Sequence, residues 1–327
     1  MRCLVTGGAG FVGSHLCERL LAQGDAVTVL DNLSTGSFRN VEHLARNERF
    51  RCVVDTITRE DTVAELVKDC DRVYHLAAAV GVELVLDRPV ETIMTNIRGT
   101  EVVLEQACRY RRPTLLVSTS EVYGKSDRES FAETDDRVMG PTHLCRWAYA
   151  ETKAMDEFLG LAYFSEKQFP VVIVRLFNTV GPRQTGRYGM VIPRFVEQAL
   201  ANRPLTVYGT GEQTRCFCHV ADVVPALIEL MNREECVGQV YNVGSDQEIT
   251  IGELARTVIR LAGSKSEIAA ISYEKAYAPG FDEMLHRKPN LDKLRRTLGR
   301  WAPRALEAIL KDVIADKHAA QPALKRD

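Results

Sequence analysis

The chain has 327 residues, enough for one large core or two coupled domains, and its 45% hydrophobic and 26% charged content is that of a soluble globular protein. A formal net charge of −2 gives no electrostatic reason for a nucleic acid or an anionic membrane as partner, and no apolar run reaches bilayer-spanning length. Nine cysteines are scattered without a CxxC pair, which argues against a zinc site or a disulfide framework and for reduced thiols in the cytoplasm.

The first residues already read as a strand running into a glycine turn, with no basic and apolar leader before them, so a cytoplasmic protein is expected. Short apolar runs at Cys3–Thr6, Ala26–Leu30, Phe50–Val54, Arg72–Leu76, Thr114–Ser118 and Val171–Leu176 predict strands. Helical stretches lie between them, near 13–23, 61–69, 90–109 and 147–167. Continuous apolar strands alternating with amphipathic helices predict a doubly wound, parallel α/β sheet covered on both faces. After Asn178 the rhythm breaks at Gly181-Pro182, Gly186 and Gly189, then resumes as a helix over Ile192–Ala201. A strand at Val240–Val243 is expected to return to the sheet, and residues from about 246 onward read as helices and loops without further βαβ rhythm. The expected division is 1–178 plus about 212–244 for the sheet domain. Residues 179–211 and 245–327 would form a smaller, interleaved C-terminal domain that holds the substrate.

Thr6-Gly7-Gly8-Ala9-Gly10-Phe11-Val12-Gly13 ends the first strand and opens the first helix. GxxGxxG in that context lets the backbone approach a pyrophosphate seated on the helix N-terminus. Asp31, at the end of the second strand and followed by Asn32, lies where a carboxylate meets the adenosine ribose. It accepts from the 2′-hydroxyl and repels a 2′-phosphate, so NAD is expected over NADP. Asp55 and Thr56 after the third strand are candidates for the adenine side, and Leu76, Ala77 and Ala78 after the fourth would lie beside the cofactor. His75 reads as a packed strand histidine. No metal is expected.

Tyr149-Ala150-Glu151-Thr152-Lys153 places a phenol and an ammonium at i, i+4 on one helical face. A lysine beside a phenol, with the positive nicotinamide ring nearby, should lower the phenol's pKa and let the phenolate accept a proton from an alcohol. A hydroxyl residue follows the fifth strand in Ser118-Thr119-Ser120-Glu121-Val122-Tyr123-Gly124.

Taken with Arg175-Leu176-Phe177-Asn178 and Gly181-Pro182-Arg183, these motifs resemble the extended short-chain dehydrogenase/reductase family over nearly the whole chain. The resemblance implies a Rossmann domain holding NAD and a C-terminal domain holding a nucleotide sugar, oxidised transiently at C4. It implies Thr119, Tyr149 and Lys153 as a catalytic triad and Asn96 as a structural asparagine. Asn178 and Arg215 match diphosphate contacts, and the strand around Thr206 and Tyr208 matches the one beside the uracil. Arg183 and Val191 are further substrate-side candidates. The resemblance also implies a homodimer through the helices near 90–109 and 147–167, where Val102, Val103, Met155, Phe158 and Leu159 supply apolar surface.

Within the family, a 4-keto sugar can be epimerised, dehydrated or decarboxylated. The 4,6-dehydratases usually carry Asp-Glu after the threonine, where this chain has Ser120-Glu121, and simple 4-epimerases usually lack a glutamate at the position of Glu121. Ser-Glu together with His286-Arg287-Lys288-Pro289 resembles the UDP-glucuronate decarboxylases, as does the Gly140-Pro141…Arg146-Trp147-x-Tyr149 spacing. The resemblance therefore implies UDP-glucuronate converted to a UDP-4-keto-pentose, UDP-xylose or both. Arg287 would orient the carboxylate, with Arg183 or Arg187 as substitutes, and Ser120 and Glu121 would lie at the reacting centre. Arg287 could instead contact the diphosphate or pair with Asp282, Glu283 or Asp292. The open alternatives are a UDP-sugar 4-epimerase, a 4,6-dehydratase and a non-catalytic NAD-binding sensor.

Overall fold

The computed structural model describes residues 1–81, 87–186, 190–272, 284 and 286–320. Seven strands build the central sheet: β1 (Arg2–Thr6), β2 (Ala26–Asp31), β3 (Phe50–Val54), β4 (Arg72–His75), β5 (Thr114–Thr119), β6 (Val171–Leu176) and β11 (Gln239–Val243). Their spatial order is β11-β6-β5-β4-β1-β2-β3, and every neighbouring pair runs parallel. The order reverses between β1 and β4, so a crevice opens at the carboxyl ends of these strands.

Alternate residues of each strand enter opposite cores. Leu115, Val172 and Val174 join one apolar layer with helices α1 (Phe11–Ala22) and α6 (Val220–Met231). Leu116, Val171 and Ile173 join the other, with α2 (Glu60–Asp69) and α3 (Pro89–Arg109). Helix α4 (Ala148–Lys167) packs beside α3 on that second face. Val102 and Val103 belong to this layer at 2% and 0% exposure, and Leu159 packs against it. These three serve the chain's own core, which corrects the expectation that they face a partner. Met155 and Phe158 remain exposed.

Between β6 and β11 the chain leaves the sheet. Strand β7 (Thr179–Val180), helix α5 (Val191–Leu200), β8 (Leu205–Tyr208), β9 (Thr214–Cys216) and β10 (Cys218–His219) precede α6. A third apolar cluster forms there from Phe195, Val196, Leu205 and Phe217, with Leu254 and Val258 of α7 (Ile251–Leu261) and Ile309 and Val313 of α9 (Leu306–Ala320). The C-terminal part does contain strands, where its rhythm predicts only helices and loops: β12 (Glu248–Thr250) pairs antiparallel with β9, and β13 (Ile268–Ile271) pairs parallel with β8. Leu291 and Leu294, the latter in α8 (Asp292–Leu298), cross back to pack under the sheet with α6. Among the described residues no helix is long and apolar enough to cross a membrane.

Candidate active site

The glycine turn fits a dinucleotide. A Cβ on Gly13 would lie 2.2 Å from the Gly7 carbonyl oxygen, and one on Gly7, whose φ is +71°, would lie 2.7 Å from the Ala77 amide nitrogen. Backbone therefore fills the space that side chains would take. Helix α1 begins at Gly10 with no side-chain cap, which leaves its first amides, from Phe11, Val12 and Gly13, aimed at the crevice. Asp31 is 8% exposed and accepts from the Ala9 amide at 3.0 Å and the Leu33 amide at 2.8 Å. Burial pushes its carboxyl up, against the opposing pull of these backbone donors. Asn32 stays at the surface and folds the next turn through Ser34. Leu76, Ala77 and Ala78 follow β4 into the crevice wall, part-buried. A binding titration is expected to show NAD bound more tightly than NADP, because the anionic Asp31 repels a 2′-phosphate; equal or tighter NADP binding would remove that role.

Asp55, the candidate for the adenine side, follows β3. Its carboxylate accepts from the Thr62 hydroxyl at 2.7 Å and the Thr56 amide at 2.8 Å, and pairs with Arg59 at 3.2 Å, organising the start of α2. The Thr62 hydrogen bond, followed by that of Thr56, holds this carboxyl below its ordinary value. Thr56 turns its hydroxyl to Thr58 at 3.0 Å.

Thr119 ends β5 and accepts from the Glu121 amide at 3.2 Å, capping a single helical turn over Ser120–Tyr123. That turn presents Glu121 to the crevice. Tyr149 and Lys153 come from the first turns of α4, and Thr119 hydrogen-bonds the Tyr149 phenol. Asn96 ties the loop after β4 to this helix: its side-chain oxygen accepts from Ala79 N at 2.7 Å, and its amide donates to Thr152 Oγ1 at 3.2 Å. His75 is a packed histidine, as expected. It lies 2.7 Å from Thr6 Oγ1 and 3.1 Å from Thr100 Oγ1, and burial drives its pKa down to about 3.

Glu121 is the centre of a charged cluster. Arg146 donates to Glu121 Oε2 at 2.6 Å, and Arg287 Nη2 lies 3.7 Å from Oε1. Arg287 also donates to Asn178 Oδ1 at 3.4 Å. Burial pushes the Glu121 carboxyl up, but the charges of Arg146 and Arg287, the Arg146 hydrogen bond and the field of Arg215 together bring it below its ordinary value. Arg287 thus pairs with Glu121; of the acids proposed as its partners, Asp282 and Glu283 lie outside the described residues. Ser120 is 1% exposed, and its hydroxyl has no hydrogen-bond partner.

Lys153 has a second partner that its spacing from Tyr149 did not suggest. Lys153 donates to Asp156 Oδ2 at 2.8 Å. The Tyr149 phenol stands above its ordinary value, first through burial, then through the negative charges of Glu121 and Asp156; Arg287 and the Thr119 hydrogen bond only partly offset them. The protein alone therefore does not supply the lowered phenol pKa expected from Lys153.

On the substrate side, Asn178 donates to the Cys216 carbonyl at 2.8 Å, and Arg215 is 9% exposed with its guanidinium on the Thr214 carbonyl at 2.8 Å. Arg194 stacks over the Tyr208 ring, 4.2 Å from its centroid. Thr206 is held by Gln198, and Val191 opens α5. Arg183 departs from expectation. Its backbone is left-handed (φ +68°), and its guanidinium donates to Ser14 at 3.0 Å, the Asn40 carbonyl at 3.2 Å and Glu18 at 2.7 Å. It clamps the loop to α1 and does not join the Glu121 cluster. Arg187 lies outside the described residues. Two residues at the site, Arg146 and Asp156, were given no site role by the sequence motifs. Each lies three positions from a catalytic candidate, Tyr149 or Lys153, and that helical offset was the available signal.

A glycine-turn crevice beside a Thr–Tyr–Lys constellation defines an NAD-dependent enzyme class that works on alcohol carbons. Residues 3–244 match the model of the NAD dependent epimerase/dehydratase family, and the chain belongs to that family. It is 43% identical over 90% of both chains to a UDP-N-acetyl-alpha-D-glucosaminuronate decarboxylase of Bacillus cytotoxicus. It is 39% identical to UDP-glucuronic acid decarboxylase 1 of Xenopus tropicalis, over 92% of this chain and 68% of that longer one. Among solved structures, UDP-glucuronic acid 4-epimerase from Bacillus cereus, determined with UDP-glucuronic acid and NAD, superposes with a TM-score of 0.87 at 28% identity, over 98% of this chain and 99% of that one.

Proposed function

We propose that the protein is an NAD-dependent decarboxylase of UDP-glucuronate, working through a UDP-4-keto sugar to a UDP-4-keto-pentose, UDP-xylose or both. The observation that carries this reading is the Arg146–Glu121–Arg287 cluster beside Tyr149, with Arg287 within 3.7 Å of Glu121. A neutral hexose gives no reason for two guanidiniums around one carboxylate at the sugar end of the crevice, whereas a C6 carboxylate does. The named decarboxylase relatives support the same reading.

Tyr149 takes the proton of the C4 hydroxyl; the glycine turn and Asp31 would hold NAD, which would supply the hydride acceptor that oxidation at C4 needs. The C6 carboxylate is then β to a ketone. When Arg287 holds it so that the breaking C5–C6 bond overlaps the carbonyl π-system, CO2 leaves and the bond pair becomes an enolate. Thr119 and the protonated Tyr149 donate to the enolate oxygen, where the charge develops. Glu121, held as the carboxylate by its arginines, orients a water that gives its proton to C5, and Ser120 offers its hydroxyl to the sugar. The test is incubation of the NAD-loaded protein with UDP-glucuronate, following CO2 and product mass. C4 epimers without CO2 would replace decarboxylation by epimerisation. The 43% identity to a 2-acetamido-uronate decarboxylase favours one second reading, in which the 2-acetamido sugar is preferred, and a parallel incubation with that sugar nucleotide decides it.

The protein is further read as a cytoplasmic homodimer. Val90, Met94 and Ile97 of α3 and Met155 and Phe158 of α4 are exposed apolar residues on two helices that pack side by side. A second copy related by a two-fold axis would bury them. Light scattering at micromolar concentration is expected to give twice the chain mass, and Phe158→Asp to give the monomer. A monomeric wild type would remove the dimer.

A further inference from the structure

Lys153 and Asp156 are among the most deeply buried charged groups of the described chain, 3% and 2% exposed, and they face each other three residues apart on α4. Two unpaired charges would be costly there, and the 2.8 Å contact makes the pair mutually dependent. Asp156 has a second donor in Thr100 of α3. Behind Thr100 runs a directed chain. His75 is neutral, so only one ring nitrogen carries a proton. Thr6 Oγ1 accepts from the Ala77 amide at 3.3 Å and lies 2.7 Å from His75 Nδ1. If Thr6 donates to Nδ1, then His75 Nε2–H donates to Thr100 across 3.1 Å, and Thr100 donates to Asp156. Each hydroxyl then both accepts and donates, and the series ends on a carboxylate. It begins at Thr6, the residue that opens the glycine turn.

We propose that Asp156 is a positioning residue for the catalytic pair: it anchors the Lys153 ammonium from inside the fold and sets how readily Tyr149 releases its proton. The charged and titratable groups around this unit are few. Glu121 and Arg287 face Tyr149 from the turn after β5 and from the C-terminal segment, Lys153 faces His75 of β4, and Glu157 is Asp156's neighbour on α4. Glu121 and Asp156 disfavour the phenolate, and Arg287 favours it. With Asp156 made neutral, one of the two opposing anions is gone and the lysine charge is no longer matched. Burial lifts the Asp156 carboxyl above its ordinary value, and Lys153 and Thr100 only partly offset that rise.

The test needs no sugar nucleotide and therefore stands apart from the substrate reading. Tyrosinate absorbance is titrated in the NAD-loaded protein, and subtracting a Tyr149→Phe titration isolates Tyr149 among the ten tyrosines. Asp156→Asn, which keeps the side chain's shape, is expected to move the Tyr149 component down by about one pH unit. An unmoved or upward component overturns the proposal. A stability cycle covers the case in which the single variant folds poorly. Lys153→Met leaves Asp156 buried and unmatched, so the double variant Lys153→Met/Asp156→Asn is expected to melt higher than Lys153→Met alone. A double variant that melts at or below the single one means that the two residues do not act as a unit, and the proposal fails.

Discussion

Tyr149→Phe is expected to abolish both NADH formation and CO2 release from UDP-glucuronate while leaving NAD binding intact. The phenol is buried and hydrogen-bonded by Thr119, and it is the group proposed to take the C4 proton. Without it the alkoxide has no acceptor for its proton, and the hydrogen at C4 cannot leave with its electron pair. General-base catalysis of this kind is worth roughly 10²–10⁴-fold, so both signals should fall by at least that factor. The loss must be common to both, because decarboxylation waits on the ketone. CO2 release surviving in a variant that makes no NADH would mean that the carboxylate leaves without oxidation at C4. Circular dichroism and an NAD titration of the variant separate this outcome from misfolding.

Arg287→Ala should divide the two steps that Tyr149→Phe leaves joined. Its proposed partner is the carboxylate and not the C4 hydroxyl, so NADH formation in a single turnover should slow less than CO2 release. Removing an oriented, charge-assisted hydrogen bond from the transition state costs on the order of 1.5–3 kcal/mol, or roughly ten- to a hundredfold in rate. Saturating substrate is needed, because affinity will fall as well. CO2 release unaffected by the change would place the carboxylate elsewhere, with Arg146 the nearest remaining guanidinium on Glu121. The loss of Arg287 also removes one of the charges that hold Glu121 below its ordinary value, so the acid limb of the remaining activity should move upward in pH.

The sheet was legible because most of its strands, the part-exposed edge strand β3 excepted, are buried on both faces and read as short apolar runs. The predicted Phe50–Val54 and Val171–Leu176 have those bounds in the structure. β9 and β12 left no such trace. They are three residues each, partly exposed, and exist only because they pair with one another across a long stretch of chain. At the site, Thr119, Tyr149, Lys153 and Glu121 could be read from short spacings. The direction of the lysine could not, since the i, i+4 rule brings Lys153 toward Tyr149 but says nothing of an aspartate one turn further on. Arg183 misled for a backbone reason: a left-handed residue after Gly181-Pro182 swings its guanidinium onto α1. Asp31 ends β2 and lies against the glycine turn, whereas Asp55 follows β3 and accepts from the Thr62 hydroxyl at the start of α2.

The excursion between β6 and β11 has a consequence for how the molecule is made. The two strands are hydrogen-bonded neighbours, with Val172 beside Gln239 and Leu176 beside Val243, so the last rung of the sheet cannot be laid until everything between them has been synthesised and folded back. Contacts so distant in sequence close slowly. The strands that frame the glycine turn pair instead over shorter stretches of chain: β1 with β2 across α1, and β2 with β3 across residues 32–49. During synthesis the dinucleotide cleft can thus close early, while the sugar end, with Asn178 just past β6 and Arg287 after β11, is completed last. A nascent chain stalled before β11 would hold a nearly finished cleft and an open apolar edge on β6. That edge is where chaperones, or a second unfinished chain, would find it first.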